Sequence, residues 1–333
     1  MGQDTFGKSM IKIDSSEIEE KICEFEKEEQ LYSIALFDIL GFSNFVQTHG
    51  TDVVLELYQK LVDLIHQMES GKNGQVTFSG SVVPVPISPD WKYNQFVADA
   101  NGYIRVCHFS DTFLIYTGYL VKKEAFWLRD SYYEENPLLV MEANTKYHPL
   151  IIQEHPLYIS FLQVCMEFFC EAIRAGIPLR GCVATGMAIM NKQDSIFFGE
   201  PLVEAARGEP AQNAIGIAYG RSFNNYHPVY NRYFIPYMKN IKENDTKADF
   251  LSPMMLDWPR FWRQKYGSDE QTIEEYINKM NNNPTFTKYY DNAVRFVQFS
   301  EEHENWSNEI DREGMTDIID YYKRVEKWYW KRV

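Results

Sequence analysis

Two aspartates in this chain stand where chemistry on a phosphate could be done. Asp38 follows the apolar run Tyr32-Ser33-Ile34-Ala35-Leu36-Phe37 and is followed by Ile39-Leu40-Gly41-Phe42-Ser43-Asn44. The run is short and β-rich, as in one buried strand. A strand, an acid, a glycine turn and a new helix make a layout suited to a metal-bound phosphate. The acid holds the cation, and the N–H groups of the turn and helix start face the anion. Taken alone, Asp38 would serve equally well as the cap of a turn. The second aspartate, Asp111, lies in His108-Phe109-Ser110-Asp111-Thr112-Phe113-Leu114. The strand patterns 103–109 and 112–117 flank it, so Ser110-Asp111 is a two-residue hairpin connection with the acid at its tip. If the two strands are sheet neighbours, both carboxylates reach one spot. Two carboxylates and a triphosphate can hold two divalent cations about 3.5–4 Å apart.

The elements that must position this pair follow from periodicity. A first strand is expected at 31–38 and a helix at 52–70, where Val53, Val54, Leu57, Leu61, Leu64, Ile65 and Met68 recur at helical spacing before Gly71. Short strand-like pieces broken by Gly and Pro occupy 75–88, and 88–101 reads as a loop. Residues 121–155 are charged, aromatic and irregular. A long apolar helix is expected over 156–175, stopped by Gly176-Ile177-Pro178. Leu179 to Ala188 reads as a central strand, 195–199 as the next strand, and 201–219 as a helix with an interruption at Gly208 or Pro210. The order β-α-(β-β)-α-β-β-α predicts an α+β palm with a ferredoxin-like β-α-β-β-α-β core rather than a doubly wound fold. Residues 1–29 read as a charged lead-in with a short helix, and 30–225 as the palm. Residues 226–333 read as a mostly helical, aromatic-rich extension packed on it, with helical patterns at 271–281 and 316–330.

The chain has 333 residues, 45% of them hydrophobic and 15% aromatic, enough for a sizeable core. Its net charge of −14 argues against general affinity for DNA, RNA or an anionic membrane. A nucleotide substrate remains open, because bound cations supply positive charge locally. The 5 cysteines include no CxxC pair, so neither a disulfide framework nor a zinc site is suggested. No basic-then-apolar leader and no apolar run near membrane-spanning length is seen, and a cytoplasmic protein with reduced thiols is expected.

Four stretches together resemble the class III nucleotidyl cyclases. Phe37 to Phe42 is similar to that family's Phe-Asp-Ile/Val-x-Gly-Phe signature, and Ser110-Asp111-Thr112-Phe113 to its hairpin Gly-Asp-x-Phe. Leu179-Arg180-Gly181-Cys182-Val183-Ala184-Thr185-Gly186 resembles its Leu-Arg-x-Gly-Ile-x-x-Gly strand. Gly199-Glu200-Pro201-Leu202-Val203-Glu204-Ala205-Ala206-Arg207 resembles its Gly-x-x-Val-Asn-x-Ala-x-Arg segment. The blocks span about 31–220. One branch is closer: the bacterial pyrimidine cyclases of anti-phage defence. Their Phe-Asp-Ile-Leu-Gly-Phe-Ser, Phe-Ser-Asp-Thr/Ser, Arg-Gly-x-x-x-x-Gly and Gly-x-x-Leu-Val-x-Ala stand here at 37–43, 109–112, 180–186 and 199–205.

The resemblance implies a homodimer with shared active sites. It would use two Mn²⁺ (or Mg²⁺) ions to convert UTP, or alternatively CTP, into a 3′,5′-cyclic nucleotide that a separate effector protein reads as an alarm. Carried over by residue, Asp38 and Asp111 bind the metals with help from the Ile39 carbonyl. Backbone N–H groups over Leu40, Gly41, Phe42, Ser43 and Asn44 hold phosphates. Cys107 sits near the base, and Arg207 of the partner subunit stabilises charge on the leaving group. Val203 stands where the family carries its catalytic Asn. Read only as residues, Arg207 fits an ordinary solvated helix face and Cys107 an ordinary small strand residue. Two rivals remain: a purine cyclase with a divergent base pocket, and a cyclase-like module that only binds a nucleotide and regulates a partner.

Overall fold

A computed structural model of the chain describes residues 23–24, 26–69, 104–118, 156–223, 233–237, 241–242 and 246–312. The strand-like pieces at 75–88, the loop at 88–101, the irregular stretch at 121–155 and the helix at 316–330 lie outside these residues, as does most of the lead-in over 1–29. The first strand, β1 (Gln30–Ile39), is buried along nearly its whole length. Its run of β-branched and aromatic residues suits a strand covered on both faces. After it come α1 (Phe42–His49), α2 (Thr51–Met68), β2 (Ile104–Phe109), β3 (Thr112–Gly118), α3 (Pro156–Arg174), β4 (Leu179–Asn191), β5 (Ile196–Gly199), α4 (Glu200–Ala211) and β6 (Gly216–Gly220). The chain continues through β7 (Phe234–Pro236), a 3₁₀ turn (Thr246–Phe250), β8 (Leu251–Leu256), α5 (Trp258–Tyr266), α6 (Ile273–Met280) and α7 (Thr287–Arg312).

The eight strands form one mixed sheet in the order β2-β3-β1-β4-β6-β8-β7, with β5 paired to β4 off that path. β1 is antiparallel to both neighbours, β3 and β4, while β4 runs parallel to β6. One face is covered by α2 and α3, with α5 and α6 against α3. There Phe37 and Phe113 both meet Phe168 of α3, with ring centroids 5.4 and 5.2 Å apart. The other face carries α4. Small residues let this helix approach closely: Cys182, Ala184 and Ala218 of the sheet pack with Ala205 and Ala211 of the helix. A Cβ on Gly208 would lie 2.6 Å from the Cys182 sulfur.

One sequence expectation is corrected and another is refined. The helix expected at 201–219 ends at Ala211, and Gly216–Gly220 is a strand parallel to β4. Pro210 lies in the last turn, where its ring disfavours helical backbone just upstream. Ile215-Gly216-Ile217-Ala218-Tyr219 is a short buried apolar run, for which periodicity does not separate strand from helix. The described part of the C-terminal region, expected to be mostly helical, has the helices α5, α6 and α7 but also two strands. Its aromatic segment contributes β7 and β8, which extend the sheet beyond β6. Aromatic Phe234, paired with Leu256 of β8, packs on Tyr219 at 5.1 Å and is fully buried.

Gly181 gives the fold a direct test. A Cβ there would sit 2.5 Å from two ring carbons of Phe37, the residue preceding Asp38. Gly181→Ala is expected to destabilise the protein by about 1–3 kcal/mol through overpacking. Urea unfolding measures this, and an unchanged midpoint would show that Phe37 is not seated on Gly181.

Candidate functional site

The β1–β3 register puts Asp38 opposite Thr112, the residue after Asp111. The Thr112 hydroxyl donates to Asp38 Oδ1 at 3.3 Å, and the Ile39 N–H donates to the Asp111 carbonyl at 3.3 Å. Asp111 occupies the tip of the β2–β3 connection, after Ser110 in the left-handed region at φ 55°. Small polar residues tolerate that conformation. Both carboxylates are therefore brought to one end of the sheet, and both are partly exposed. The Asp38 carboxyl is raised to about 6, first by burial and then by the Asp111 charge; Arg180 and the Thr112 hydrogen bond oppose the shift.

Past Asp38 the chain turns at Gly41, whose φ of 67° is left-handed. Glycine is required there on two counts, since a Cβ would also fall 2.6 Å from the Phe286 ring. The Leu40 N–H is held by the Pro178 carbonyl at 2.8 Å. The first turn of α1 has no side-chain cap. Its N–H groups form an anion-facing end next to the carboxylates. Cys107 of β2 pairs with Leu114, which pairs with Leu36, and Leu36 shares a sheet face with Asp38. The thiol is pushed up to about 12, chiefly by burial. Next to it on that face, Arg105 and the Tyr116 hydroxyl donate to buried Glu26 at 3.3 and 3.2 Å.

Arg207 is not brought to the carboxylates within the chain. It lies on the exposed face of α4 one turn after Val203, itself 49% exposed, with its guanidinium 4.7 Å from the Phe250 ring centroid. The buried face of the same helix carries Glu209, which points the other way.

Sequence reasoning missed three residues. Arg180 stands opposite Asp38 across β1 and β4, and it forms an ion pair with Glu209 at 2.6 Å. That pair is a charge contact rather than an aligned hydrogen bond. Glu209 is raised to about 7, mainly by burial, with Arg180 opposing and Asp38 adding to the shift. Tyr58 of α2 packs on Phe113, and its hydroxyl is raised by burial and by the Asp111 charge. Arg180 was visible inside a motif. Glu209 and Tyr58 had no signal beyond a polar group on an otherwise apolar helix face.

Among the described residues no group of three or more His, Cys, Asp and Glu side chains is gathered to hold a metal. Two carboxylates still fit a hard cation that takes its remaining oxygens from phosphates, a backbone carbonyl and water. The Asp38 carboxyl, its proton affinity raised by burial and then by the Asp111 charge, would be relieved by a cation placed there.

No family model matches the chain, and no curated protein matches it. Among solved structures it is similar to a bacterial light-regulated adenylyl cyclase, with 11% identity over 76% of this chain and 99% of that one, at a TM-score of 0.36. A likeness that low carries no argument. No helix among the described residues is long and apolar enough to cross a membrane.

The Asp38 shift sets a sign for stability. The folded chain holds this proton more tightly than an ordinary aspartate, whose value is 3.8. The charged carboxylate therefore costs stability, progressively as pH rises from about 4 to about 6 and in full above that. Without divalent cations, Asp38→Asn should melt higher than the parent at pH 7.5, with the difference shrinking towards pH 4. Thermal melts at the two pH values check this, and a variant less stable than the parent at pH 7.5 would contradict it.

Proposed function

We propose that the chain is a pyrimidine nucleotide cyclase that converts UTP into 3′,5′-cyclic UMP and pyrophosphate. The observation that carries this reading is the Asp38–Asp111 pair at one sheet end, beside the uncapped amino end of α1. The substrate's 3′-oxygen attacks the α-phosphorus in line. The bond from that phosphorus to the bridging oxygen breaks, pyrophosphate leaves, and the hydroxyl proton goes to solvent. Two divalent cations, Mn²⁺ or Mg²⁺, would lower the pKa of the attacking hydroxyl and neutralise the leaving group. Asp38, Asp111 and the Ile39 carbonyl hold those cations. The N–H groups from Gly41 to Asn44 hold the β- and γ-phosphates, the Leu40 N–H being committed to the Pro178 carbonyl, and Thr112 orients Asp38 through its hydrogen bond. Arg180, tied back to Glu209, tempers the negative charge without taking the place of a cation.

The active form is a homodimer with two sites across the interface. Support comes from α4, whose exposed face carries Arg207, where a second copy could be reached. Ile196, Phe198 and Val203 beside it are 45%, 57% and 49% exposed, an apolar surface suited to a partner. A symmetric pair would bring Arg207 of the partner subunit to the leaving pyrophosphate. The pyrimidine assignment rests on the motif resemblance. It is supported by Cys107, a weak donor near the base position where a purine reader needs a stronger one. The preference for uracil over cytosine comes from the resemblance alone. So do the product's role as an alarm in antiviral defence, read by a separate effector, and the cytoplasmic setting.

Equal concentrations of the four ribonucleoside triphosphates with Mn²⁺, followed by mass spectrometry, should yield mainly cyclic UMP. Asp38→Asn and Asp111→Asn should each lower turnover by more than about 100-fold while staying folded, because losing a ligand exceeds the loss of a supporting residue. Chains carrying Asp38→Asn mixed with chains carrying Arg207→Ala should regain activity. Cyclic CMP as the main product would overturn only the choice of base, and cyclic AMP or cyclic GMP the pyrimidine assignment. No product from any triphosphate would favour a nucleotide-binding regulatory module.

A further inference from the structure

A cavity of about 410 Å³ lies between one face of α1 and the segment formed by α6 and the chain leading into α7. Gly41, Asn44 and Phe45 line it on the α1 side, and Tyr276, Lys279 and Phe286 on the other. Asp38, Asp111, Cys107 and Arg207 do not line it, so it lies apart from the carboxylates, although it adjoins the turn proposed to hold phosphates through Leu40, Gly41 and Asn44.

Its chemistry differs from that of the chain as a whole. The protein carries 47 aspartates and glutamates against 33 lysines and arginines, yet no acidic side chain lines this cavity. Two cations do. Arg174 is already neutralised by Glu171 at 3.1 Å and Asp269 at 3.4 Å. Lys279 makes no ion pair among the described residues, and its ammonium lies 5.9 Å from the Tyr276 ring centroid. Glu275, one turn earlier, is occupied in capping α6: its carboxylate accepts the Thr272 N–H at 3.0 Å. The cavity thus presents one uncommitted positive charge with no fixed anion to answer it. Around that charge stand the rings of Phe45, Tyr276 and Phe286, and the side-chain amides of Asn44, Asn282 and Asn283. Rings give a planar group a surface to stack on, and an amide both donates and accepts; Asn283 offers only its donor, because its Oδ1 already accepts the Thr285 N–H at 2.9 Å. The volume falls within the range of small-ligand sites.

We propose that this cavity is a second ligand site, taking a nucleoside phosphate with its phosphate on Lys279 and its base among the aromatic rings. The proposal does not depend on the reading of the carboxylate site. Occupancy would bear on that site through Phe286, whose ring leaves no room for a Cβ on Gly41.

The test uses the full-length chain carrying both Asp38→Asn and Asp111→Asn, in EDTA, so that cation-dependent binding at the carboxylates is removed. Equilibrium dialysis with UTP, with ATP and with inorganic triphosphate is the measurement. At least one nucleotide should bind once per chain, at least tenfold more tightly than inorganic triphosphate. Lys279→Ala and Asn44→Asp should each weaken that binding at least tenfold. Lys279 is exposed, so its replacement should leave the unfolding transition unchanged. Absence of nucleotide binding would overturn the proposal. So would binding indifferent to both substitutions, or equal binding of nucleotide and inorganic triphosphate. Because no turnover is measured, failure here leaves the cyclase reading standing, and failure of that reading leaves this test intact.

Discussion

Two negative charges held close together are the constraint on which the rest of this structure turns. The β1–β3 register seats Asp38 opposite Thr112 and so beside Asp111, and the hairpin leaves Asp111 no freedom to retreat into the loop. Burial first, and then the Asp111 charge, make ionisation of Asp38 harder. A chain with no use for such a pair would gain stability by losing one member. In the proposed reading, a cation and a phosphate beside the uncapped helix N–H groups would supply the charge that the protein lacks there.

The surrounding packing keeps the pair in place. Gly181 lets Phe37 lie flat on β4, which anchors the strand one residue before Asp38. Small residues on β4 and β6 draw α4 against the sheet, and that helix delivers Glu209 to Arg180. From the other side, the C-terminal region presses Phe286 on Gly41 and places the Tyr289 ring 5.6 Å from the Arg180 guanidinium. The C-terminal region therefore buttresses both the Gly41 turn and Arg180, the cation opposite Asp38.

The core of this arrangement was legible in the sequence because it is local. An apolar run ending in an acid and a glycine, and a two-residue gap between alternating strands, are patterns of a few residues. They foretold β1, the hairpin and the position of Asp111. What was not legible depends on contacts distant in sequence. Glu209 acquires meaning only when α4 lies across β4, bringing it to a residue 29 positions earlier in the chain (209 − 180). The strand at Gly216–Gly220 was read as helix because a short buried run has no polar face to reveal its period. β7 and β8 were hidden because aromatic residues serve a sheet and a helix core equally well. The cavity beside α1 is assembled from segments more than 200 residues apart, and no window of sequence contains it.

The central claim is that Asp38 and Asp111 together hold two divalent cations. Electron paramagnetic resonance of Mn²⁺ bound to the protein, with a non-cyclisable 3′-deoxynucleoside triphosphate present, tests it most directly. Two Mn²⁺ per site with the spectral signature of spin coupling, lost when either aspartate becomes asparagine, is the predicted result. Binding of Mn²⁺ that is unaffected by replacing both aspartates would contradict it.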